Sequence, residues 1–394
     1  MMRKLHIRAC TATSALGRGM AAHRDALVHQ RGGLRRCDFA GVDLDTWIGR
    51  VEGLENEPVT GTLAEYDCRN NRLARVGLQQ DDFLSVVLDA IKQYGSRRIG
   101  VFIGTSTSGI EQTEWVYAQR DAEGNLPQNY FYQQTQNIFS CADYVQKALQ
   151  LEGPAQVVST ACSSSAKVFA TAHRFMSAGL CDAAIVGGVD SLCQMTLYGF
   201  NALQLVSAQP CRPADQDRDG INIGEAAGFA LLEWADRDPG LCLLGYGESS
   251  DAYHMSSPHP EGKGALLAMQ QALERAGLNA GQIDYLNLHG TATPANDASE
   301  DQAVFQLFKG QVPCSSTKGY TGHTLGAAGI LEVAISCLAI EHGILPVSLN
   351  TQQVDKNIRS AIVTEAQIQP VHNVMTNSFG FGGSNASLII GRSA

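Results

Sequence analysis

Residues 156–179 read QVVSTACSSSAKVFATAHRFMSAG, an apolar stretch that passes through small polar residues into a periodic apolar pattern. The first part predicts a buried strand over Gln156–Thr160, and the second predicts a helix from Ser163 to Gly179. Cys162 therefore lies at the start of a helix, where free backbone N–H groups and the helix dipole favour a thiolate. A reactive nucleophile and a buried core thiol are both compatible with this position taken alone.

A similar arrangement recurs towards the other end of the chain. Residues 316–343 read STKGYTGHTLGAAGILEVAISCLAIEHG, and an extended stretch follows at Ile344–Leu349. Both segments begin with Ser-Thr, pass a reactive side chain and enter a helix through small residues. This repetition predicts two similar halves that bring their chemistry together where they meet.

Strand patterns alternate with helical periodicity along the chain, which predicts an α/β protein. Besides Gln156–Thr160, the strand patterns are Ile99–Thr105, Ala183–Gly187, Gly228–Leu232, Tyr285–Leu288 and Ser387–Ile390. Further helices are predicted over Gly264–Ala276 and Ile330–His342. The polar segments Gly53–Gly61 and Arg120–Gln133 contain turn residues and are predicted to be irregular.

Composition narrows the possible environments and partners. The 394 residues carry 29 basic and 39 acidic side chains, a net charge of −10, so a general nucleic-acid or anionic-membrane surface is not expected. We predict a cytoplasmic protein, because no signal peptide and no uninterrupted apolar span is evident. The eleven cysteines are scattered and form no CxxC pair, which indicates reduced thiols and predicts no metal site.

Two further motifs carry residue types suited to catalysis. His289 opens the sequence HGTATPAND at the end of a predicted strand, which is where α/β proteins place their sites. Residues 377–385 read NSFGFGGSN, and such a glycine-rich loop can bring backbone N–H groups close to a substrate. Taken alone, the histidine could be bonded within its loop, and the loop could be a tight turn with two core aromatics.

Taken together and in this order, the motifs resemble the β-ketoacyl-acyl-carrier-protein synthases of the thiolase superfamily, specifically the elongating, malonyl-condensing kind. The resemblance extends to residues 212–228, RPADQDRDGINIGEAAG, and residues 249–262, SSDAYHMSSPHPEG. It implies a thiolase-like five-layer αβαβα fold. We place the boundary so that residues 1–235 form the half with the nucleophile and residues 236–394 the half with two catalytic histidines.

The resemblance also implies roles for individual residues. Cys162 is the nucleophile, His289 and His323 are the catalytic histidines, and Lys318 matches the lysine of the family, with Glu300 as its glutamate partner. The backbone N–H groups of Cys162 and Phe381 are implied to form the oxyanion hole, and the ring of Phe381 is implied to act as a gate. Contacts to pantetheine and the acyl chain are implied for Thr291, Thr293, Phe379 and Thr107. Asp297 is implied to support the site.

The mechanism implied is a decarboxylative Claisen condensation. An acyl chain is transferred from a carrier protein to Cys162, malonyl-carrier protein loses carbon dioxide, and the two histidines stabilise the enolate. No metal or separate cofactor is implied, because the substrates are carried on the phosphopantetheine of the acyl carrier protein. Lys318 is expected to act structurally and electrostatically rather than as a proton carrier.

The loops further resemble ketosynthases of bacterial aryl polyene pathways, notably at residues 68–78, CRNNRLARVGL. This implies a homodimer, or a heterodimer with a chain-length factor, in which the segment Thr105–Glu111 lies near the interface and pocket floor. The spacing of Arg69, Arg72 and Arg75 places them along one face of a predicted helix, where they form the best cationic cluster for an acidic carrier protein, and an ordinary solvated face is the alternative. The competing functions are a housekeeping fatty-acid synthase, a non-catalytic chain-length subunit and a degradative thiolase. The intact Cys162 argues against the non-catalytic subunit, and the lack of a cysteine in NSFGFGGSN argues against the thiolase.

Overall fold

Ten strands form the framework of the protein. The computed structural model describes residues 1–235 and 240–392. The strands are β1 Leu5–Ser14, β2 Ile99–Gly104, β3 Ala155–Val158, β4 Ala183–Asp190, β5 Ala226–Trp234, β6 Leu241–Ser250, β7 Tyr285–Asn287, β8 Pro313–Ser315, β9 Asn373–Gly380 and β10 Ser384–Arg392. Short strands at Gly17–Arg18, Arg35–Arg36, Trp47–Gly49, Ile223–Gly224, Ile344–Leu345, Ala361–Ile362 and Gln367–Ile368 add edges and local pairs.

The ten strands divide into two sets with the same topology. The first set has the spatial order β3-β2-β4-β5-β1 and the second has the order β8-β7-β9-β10-β6, so both follow the pattern 3-2-4-5-1. In each set the first three strands of that order are parallel and the last two run antiparallel to their neighbours. The sets join through the short pairing of Leu5 and His6 with Leu243 and Cys242. This repeated topology confirms the two similar halves that the sequence predicted.

Helices cover both outer faces and fill the space between the two sets of strands. The α-helices are α1 Met20–Val28, α2 Arg69–Leu78, α3 Phe83–Tyr94, α4 Ile110–Ala118, α5 Ser140–Ala148, α6 Ser164–Ser177, α7 Gln194–Ala202, α8 Lys263–Ala276, α9 Pro294–Phe308, α10 Lys318–Thr321 and α11 Ala328–His342. Helices α6 and α11 contribute to one core between the two sets, α2, α3 and α5 to a second, and α8 and α9 to a third. Three apolar cores separated by two sheet layers confirm the five-layer αβαβα fold.

Helix α11 lies in the centre of the fold because its sequence is almost entirely apolar. Every residue from Ala328 to Ile340 is buried, including Glu332, so the helix contacts protein on all sides. The stretch Leu325–His342 is long and apolar enough to cross a membrane by its mean hydropathy of 1.5, but 89% of it is buried within the protein. It is therefore a core helix of this fold.

The predicted elements are present with small shifts of their ends. Each strand and helix pattern named from the sequence overlaps an observed strand or helix, and Arg120–Gln133 is irregular as predicted. Within Gly53–Gly61, a short 3-10 helix spans Leu54–Asn56. The boundary between residues 235 and 236 stays a prediction, because residues 236–239 lie outside the described residues.

Candidate active site

Cys162 lies in a sharp turn between β3 and α6. The turn is possible because Ala161 adopts a left-handed backbone conformation, with φ of 52°. Ser164 stabilises it, since its hydroxyl donates to the Ala161 carbonyl at 2.6 Å and accepts from the Thr160 N–H at 2.9 Å. The small polar residues of the motif therefore form hydrogen bonds with the backbone groups of the turn. Cys162 itself is only 4% exposed.

Burial governs the ionisation of the free thiol. It raises the pKa of Cys162 to about 11, while the charge of Lys318 and backbone N–H groups of Phe381 and Cys162 act in the opposite direction. In the unliganded site, desolvation therefore opposes the stabilisation of a thiolate that the helix start was expected to provide. The thiol is neutral near pH 7, and the two N–H groups directed at the sulfur are those predicted for an oxyanion hole.

His323 contacts the nucleophile directly. Its Nε2 lies 3.0 Å from the Cys162 sulfur, and its Nδ1 accepts a hydrogen bond of 3.3 Å from the backbone N–H of Leu325. Burial, and then the charge of Lys318, hold the pKa of His323 well below its usual range. A neutral ring that accepts at Nδ1 carries its proton on Nε2, so His323 presents a donor towards the sulfur.

His289 completes the arrangement. Its ring centroid is 5.3 Å from that of His323, and the Lys318 ammonium lies 3.5 Å from its Nδ1. Burial, Lys318 and His323 together lower the pKa of His289, which is neutral as well. Because an ammonium has only donors to offer, Nδ1 is the acceptor and Nε2 carries the proton. Two imidazole N–H donors therefore face the space beside the thiol.

The family resemblance implied that Lys318 pairs with Glu300. In the structure, Lys318 pairs with Glu332 instead. Its Nζ lies 2.6 Å from Glu332 Oε1 and also donates to the His289 carbonyl oxygen. Both members of the pair are buried. The physical reason is that the Glu332 carboxylate on α11 lies within reach of the Lys318 ammonium, whereas the Glu300 carboxylate on α9 is bonded to the N–H groups of the His289 loop.

Glu300 instead holds the backbone of that loop. Its carboxylate accepts from the N–H groups of His289 and Gly290, each at 2.8 Å. Burial raises the pKa of Glu300 to about 7, against the opposing effect of these hydrogen bonds. Asp297 supports the same loop by accepting from the N–H groups of Ala214 and Ala292.

A cavity of about 110 Å³ opens onto the three side chains. Thr291 and Thr293 line it with their hydroxyl oxygens 2.9 Å apart. Phe379 and Phe381 line it too, and the Phe381 ring packs against Phe200 at a centroid distance of 5.5 Å. These four residues therefore line the same cavity as the three reactive side chains, and their roles as thioester contacts and as a gate stay predictions.

Thr107 lies apart from this cavity. Among the described residues, the cavity lining does not include it, and its hydroxyl donates to Asp190 at 2.9 Å. It is buried rather than part of a surface loop. In the single chain, Thr107 therefore serves the hydrogen-bond network of Asp190, and its predicted acyl contact remains a prediction about the assembled dimer.

The arginine cluster on α2 is largely committed to intramolecular pairs. Arg69 is only 7% exposed and pairs with Glu225 and Glu55, so its predicted role in carrier docking is wrong. It is the first residue of α2, and its side chain turns inward to a fully buried carboxylate. Arg72 pairs with Asp67, and Arg75 lies 3.5 Å from Glu57.

Three buried acids that organise the site were missed from the sequence. Glu332 anchors Lys318, and Glu225 accepts from Arg69 and from the N–H groups of Val51 and Leu192. Asp190 accepts from Thr105, Thr107 and the N–H of Gly326, which ties the two halves together. A single acid within the apolar run of α11 was a usable signal for Glu332, whereas Asp190 has no distinctive local pattern.

The same three side chains could act as metal ligands. The sulfur of Cys162 and ring nitrogens of His289 and His323 all lie within 4.8 Å of one another. Thiolate and imidazole are the donors that Zn²⁺ prefers, so the residue types fit a zinc site. The hydrogen bonds at both Nδ1 atoms leave the Nε2 atoms as the available ligands.

Comparison with known proteins identifies close relatives. Residues 62–237 match the N-terminal domain, and residues 241–352 the C-terminal domain, of β-ketoacyl synthase. A 3-oxoacyl-[acyl-carrier-protein] synthase 2 of Rhizobium meliloti is 38% identical over 312 residues, which cover 74% of each chain. The solved ketosynthase ApeO of Xenorhabdus doucetiae, in complex with its chain length factor ApeC, is 38% identical with a TM-score of 0.90 and covers 99% of this chain and 98% of its own. The ishigamide ketosynthase/chain length factor is 25% identical with a TM-score of 0.90 and full coverage of both chains.

Proposed function

Because the chain belongs to the β-ketoacyl synthase family, whose members condense an acyl group with malonyl-acyl-carrier protein, we propose that Cys162, His289 and His323 carry out its chemistry. The enzyme is an acyltransferase that forms carbon–carbon bonds. The observation that carries the assignment of residues is the contact of 3.0 Å between His323 Nε2 and the Cys162 sulfur, beside a second neutral imidazole.

In the first half-reaction, the acyl thioester of the carrier protein is exchanged for a thioester on Cys162. The sulfur attacks the acyl carbonyl, the phosphopantetheine thiolate leaves, and that thiolate takes up the proton that Cys162 gives up. The developing oxyanion accepts from the backbone N–H groups of Cys162 and Phe381. No separate cofactor enters this proposal, since phosphopantetheine arrives as part of the substrate.

In the second half-reaction, the histidines act on the malonyl thioester. Their Nε2–H donors bind its carbonyl oxygen and stabilise the enolate that forms as carbon dioxide leaves. The enolate carbon then attacks the acyl carbonyl on Cys162, and the sulfur departs as a thiolate to give the β-ketoacyl product. The thiolate takes up a proton from solvent, which restores the neutral thiol of the resting enzyme. Lys318 donates to His289 Nδ1 and so keeps its proton on Nε2.

The direct test replaces Cys162 by alanine. Cys162→Ala should abolish condensation and retain decarboxylation of malonyl-carrier protein, because both imidazoles remain. Cys211→Ala is the matched control, since Cys211 is also buried and its sulfur donates to the Lys318 carbonyl oxygen at 3.1 Å. Mass spectrometry should find the acyl group on Cys162 and not on Cys211. Condensation by Cys162→Ala would contradict the proposal.

We further propose that the chain extends conjugated polyenyl chains, as the resemblance to aryl polyene ketosynthases implies. The support is the similarity over almost the whole chain to ApeO, which was solved with a chain length factor. The alternative, a fatty-acid synthase, is supported by the curated relatives named 3-oxoacyl-[acyl-carrier-protein] synthase 2. Acylation of Cys162 by paired saturated and dienoyl carrier-protein thioesters of equal length separates the two, and a preference for the saturated chain would contradict the polyene role.

The proposed partners are an acyl carrier protein and a second ketosynthase-like subunit, either a copy of this chain or a chain length factor. For the carrier protein, Arg72 and Arg75 remain candidate contacts, with Arg69 excluded by its burial. Arg75→Glu should raise KM for carrier-protein thioesters and leave activity on short pantetheine thioesters unchanged. Equal losses on the two substrates would remove this surface from the proposal. The non-catalytic subunit is disfavoured, because the nucleophile and both histidines are present and assembled.

A further inference from the structure

The segment Gly380–Ser384 carries the Phe381 N–H that is directed at the Cys162 sulfur. On one side it is held by the loop after β6, because Gly382 donates to the Met255 carbonyl oxygen and Asp251 donates to that of Gly383, each at 2.8 Å. On the other side, Ser384 starts β10. Its hydroxyl accepts a hydrogen bond of 2.7 Å from Lys167 Nζ.

Lys167 lies on α6, five residues after the nucleophile, and its amino group is in an unfavourable environment for a cation. Burial lowers the pKa of Lys167, against the attraction of Glu248. Within residues 1–235 and 240–392, no carboxylate is close enough to form an ion pair with it. Two turns further along α6, Arg174 forms an ion pair with Glu248. A half-buried ammonium bonded to a serine costs more than an ion pair or an apolar residue would, which is why a role in function is worth testing.

We propose that Lys167 is a positioning residue that fixes the gate segment, Gly380–Ser384, to the helix that directly follows the nucleophile. This inference rests on the proposed function. Lys167 lies in the first turn of α6, directly after the turn that holds Cys162, so the bond to Ser384 sets the distance between the Phe381 N–H and the sulfur. It also confines motion of the Phe381 ring to residues 381–383, where Gly382 and Gly383 have φ of 80° and 75° and can change conformation at low cost.

Lys167→Met keeps the length of the side chain and removes the donor. Condensation should fall about 10-fold, less than the 10²–10³ lost when an oxyanion donor is removed outright, because the N–H is displaced and not deleted. The effect should fall on kcat and leave KM for the carrier protein unchanged, since Lys167 does not line the cavity. Ser384→Ala should lower kcat by the same factor, and the double variant should be no worse than either single variant. Ser384→Thr should condense at the wild-type rate, because it keeps the hydroxyl that accepts from Lys167.

Decarboxylation distinguishes positioning from a general loss of structure. In a Cys162→Ala background, Lys167→Met should leave malonyl decarboxylation unchanged, because that step depends on the histidines and not on the oxyanion hole. Arg174→Met is the matched control on the same face of α6, and it should condense at the wild-type rate.

Wild-type condensation by Lys167→Met would overturn the inference, and so would parallel losses of condensation and decarboxylation. If Cys162→Ala still condensed, the proposed function would fail instead, whatever Lys167→Met did.

Discussion

At the scale of single residues, burial drives the ionisable groups at the nucleophile towards their neutral forms. The pKa of the Cys162 thiol is raised to about 11, and the pKa values of His289 and His323 are lowered. The site therefore offers oriented N–H donors to the substrate, and Cys162 and the histidines do not form a thiolate–imidazolium pair in the free enzyme. Negative charge on the substrate carbonyl oxygens develops only during the reaction, when fixed donors stabilise it most strongly.

This ionisation can be measured in the free enzyme. Alkylation of Cys162 by iodoacetamide should accelerate about tenfold per pH unit between about pH 7 and 10, since only the thiolate reacts and its pKa lies higher. His323→Ala should slow alkylation at every pH in this range, because the Nε2–H donor to the sulfur is lost. Peptide mass spectrometry gives the rate at this cysteine alone. A plateau below pH 9 would show that the thiolate is already present and that helix-terminus stabilisation wins.

Local patterns and the family resemblance together pointed to three side chains that the structure brings into contact with one another. Cys162 and His289 follow predicted strands, and His323 lies in the glycine-rich entry to a helix. Sequence reasoning failed for the partner of Lys318, because the resemblance pointed to Glu300 and the single acid in the apolar run of α11 was not used. The contact between Lys318 and Glu332 joins residues that the sequence alone does not pair.

At the scale of elements, the pair Lys318–Glu332 fastens α10 to α11. Glu332→Ala should destabilise the protein by about 3–5 kcal/mol, because it leaves an unpaired ammonium in the core. The double variant Lys318→Met, Glu332→Leu removes both charges and should recover most of that loss, yet condense poorly because His289 loses its Nδ1 donor. Chemical denaturation and a condensation assay on the same samples test this. Equal stabilities of Glu332→Ala and wild type would show that the pair does not hold the helices.

Helix α2 shows how an element can be predicted correctly and its face incorrectly. The pattern of Arg69, Arg72 and Arg75 gave a helix with cations along one side, and the helix is present. Its first residue turns inward because Glu225, fully buried on the segment before β5, lies within reach. Nothing in the local sequence distinguishes an arginine that pairs inward from one that faces solvent.

Because Arg69 is buried and Arg75 is partly exposed, their replacement should change the free energy of unfolding by different amounts. Arg69→Ala should lower the free energy of unfolding by about 3–5 kcal/mol, since it strands the Glu225 carboxylate. Arg75→Ala should change it by less than about 1 kcal/mol, because that pair is partly exposed. Denaturant titrations of the two variants compare them directly. A stable Arg69→Ala with a defect only on carrier-protein substrates would return Arg69 to the docking surface.

At the scale of the whole molecule, one surface is too apolar to face solvent permanently. It comprises α4, the loop after it and α7, and its exposed side chains are Trp115, Tyr117, Phe131, Tyr132, Ile138, Phe139, Met195, Tyr198 and Leu203. The parts are continuous, since Glu114 accepts from the N–H groups of Gln194 and Met195, and Thr113 bonds Tyr130. The sequence indicated this region only through Thr105–Glu111, because exposed aromatics in an irregular loop have no periodicity to read.

We therefore expect this surface to bind the second ketosynthase-like subunit, because contiguous apolar patches on soluble proteins mark interfaces. Met195, 62% exposed, and Trp115, 50% exposed, are suitable probes. Met195→Glu and Trp115→Glu would each bury a carboxylate on association and should convert a dimer to monomers in light scattering after size exclusion. Leu88→Glu is the control, since Leu88 is also exposed but lies on α3, outside this surface, and should leave the dimer intact. Because Cys162, His289 and His323 all come from one chain, the monomers should still decarboxylate malonyl-carrier protein. Extension of longer acyl chains should fall if the partner subunit closes the acyl pocket. Unchanged dimers in both patch variants would place the interface elsewhere on the molecule.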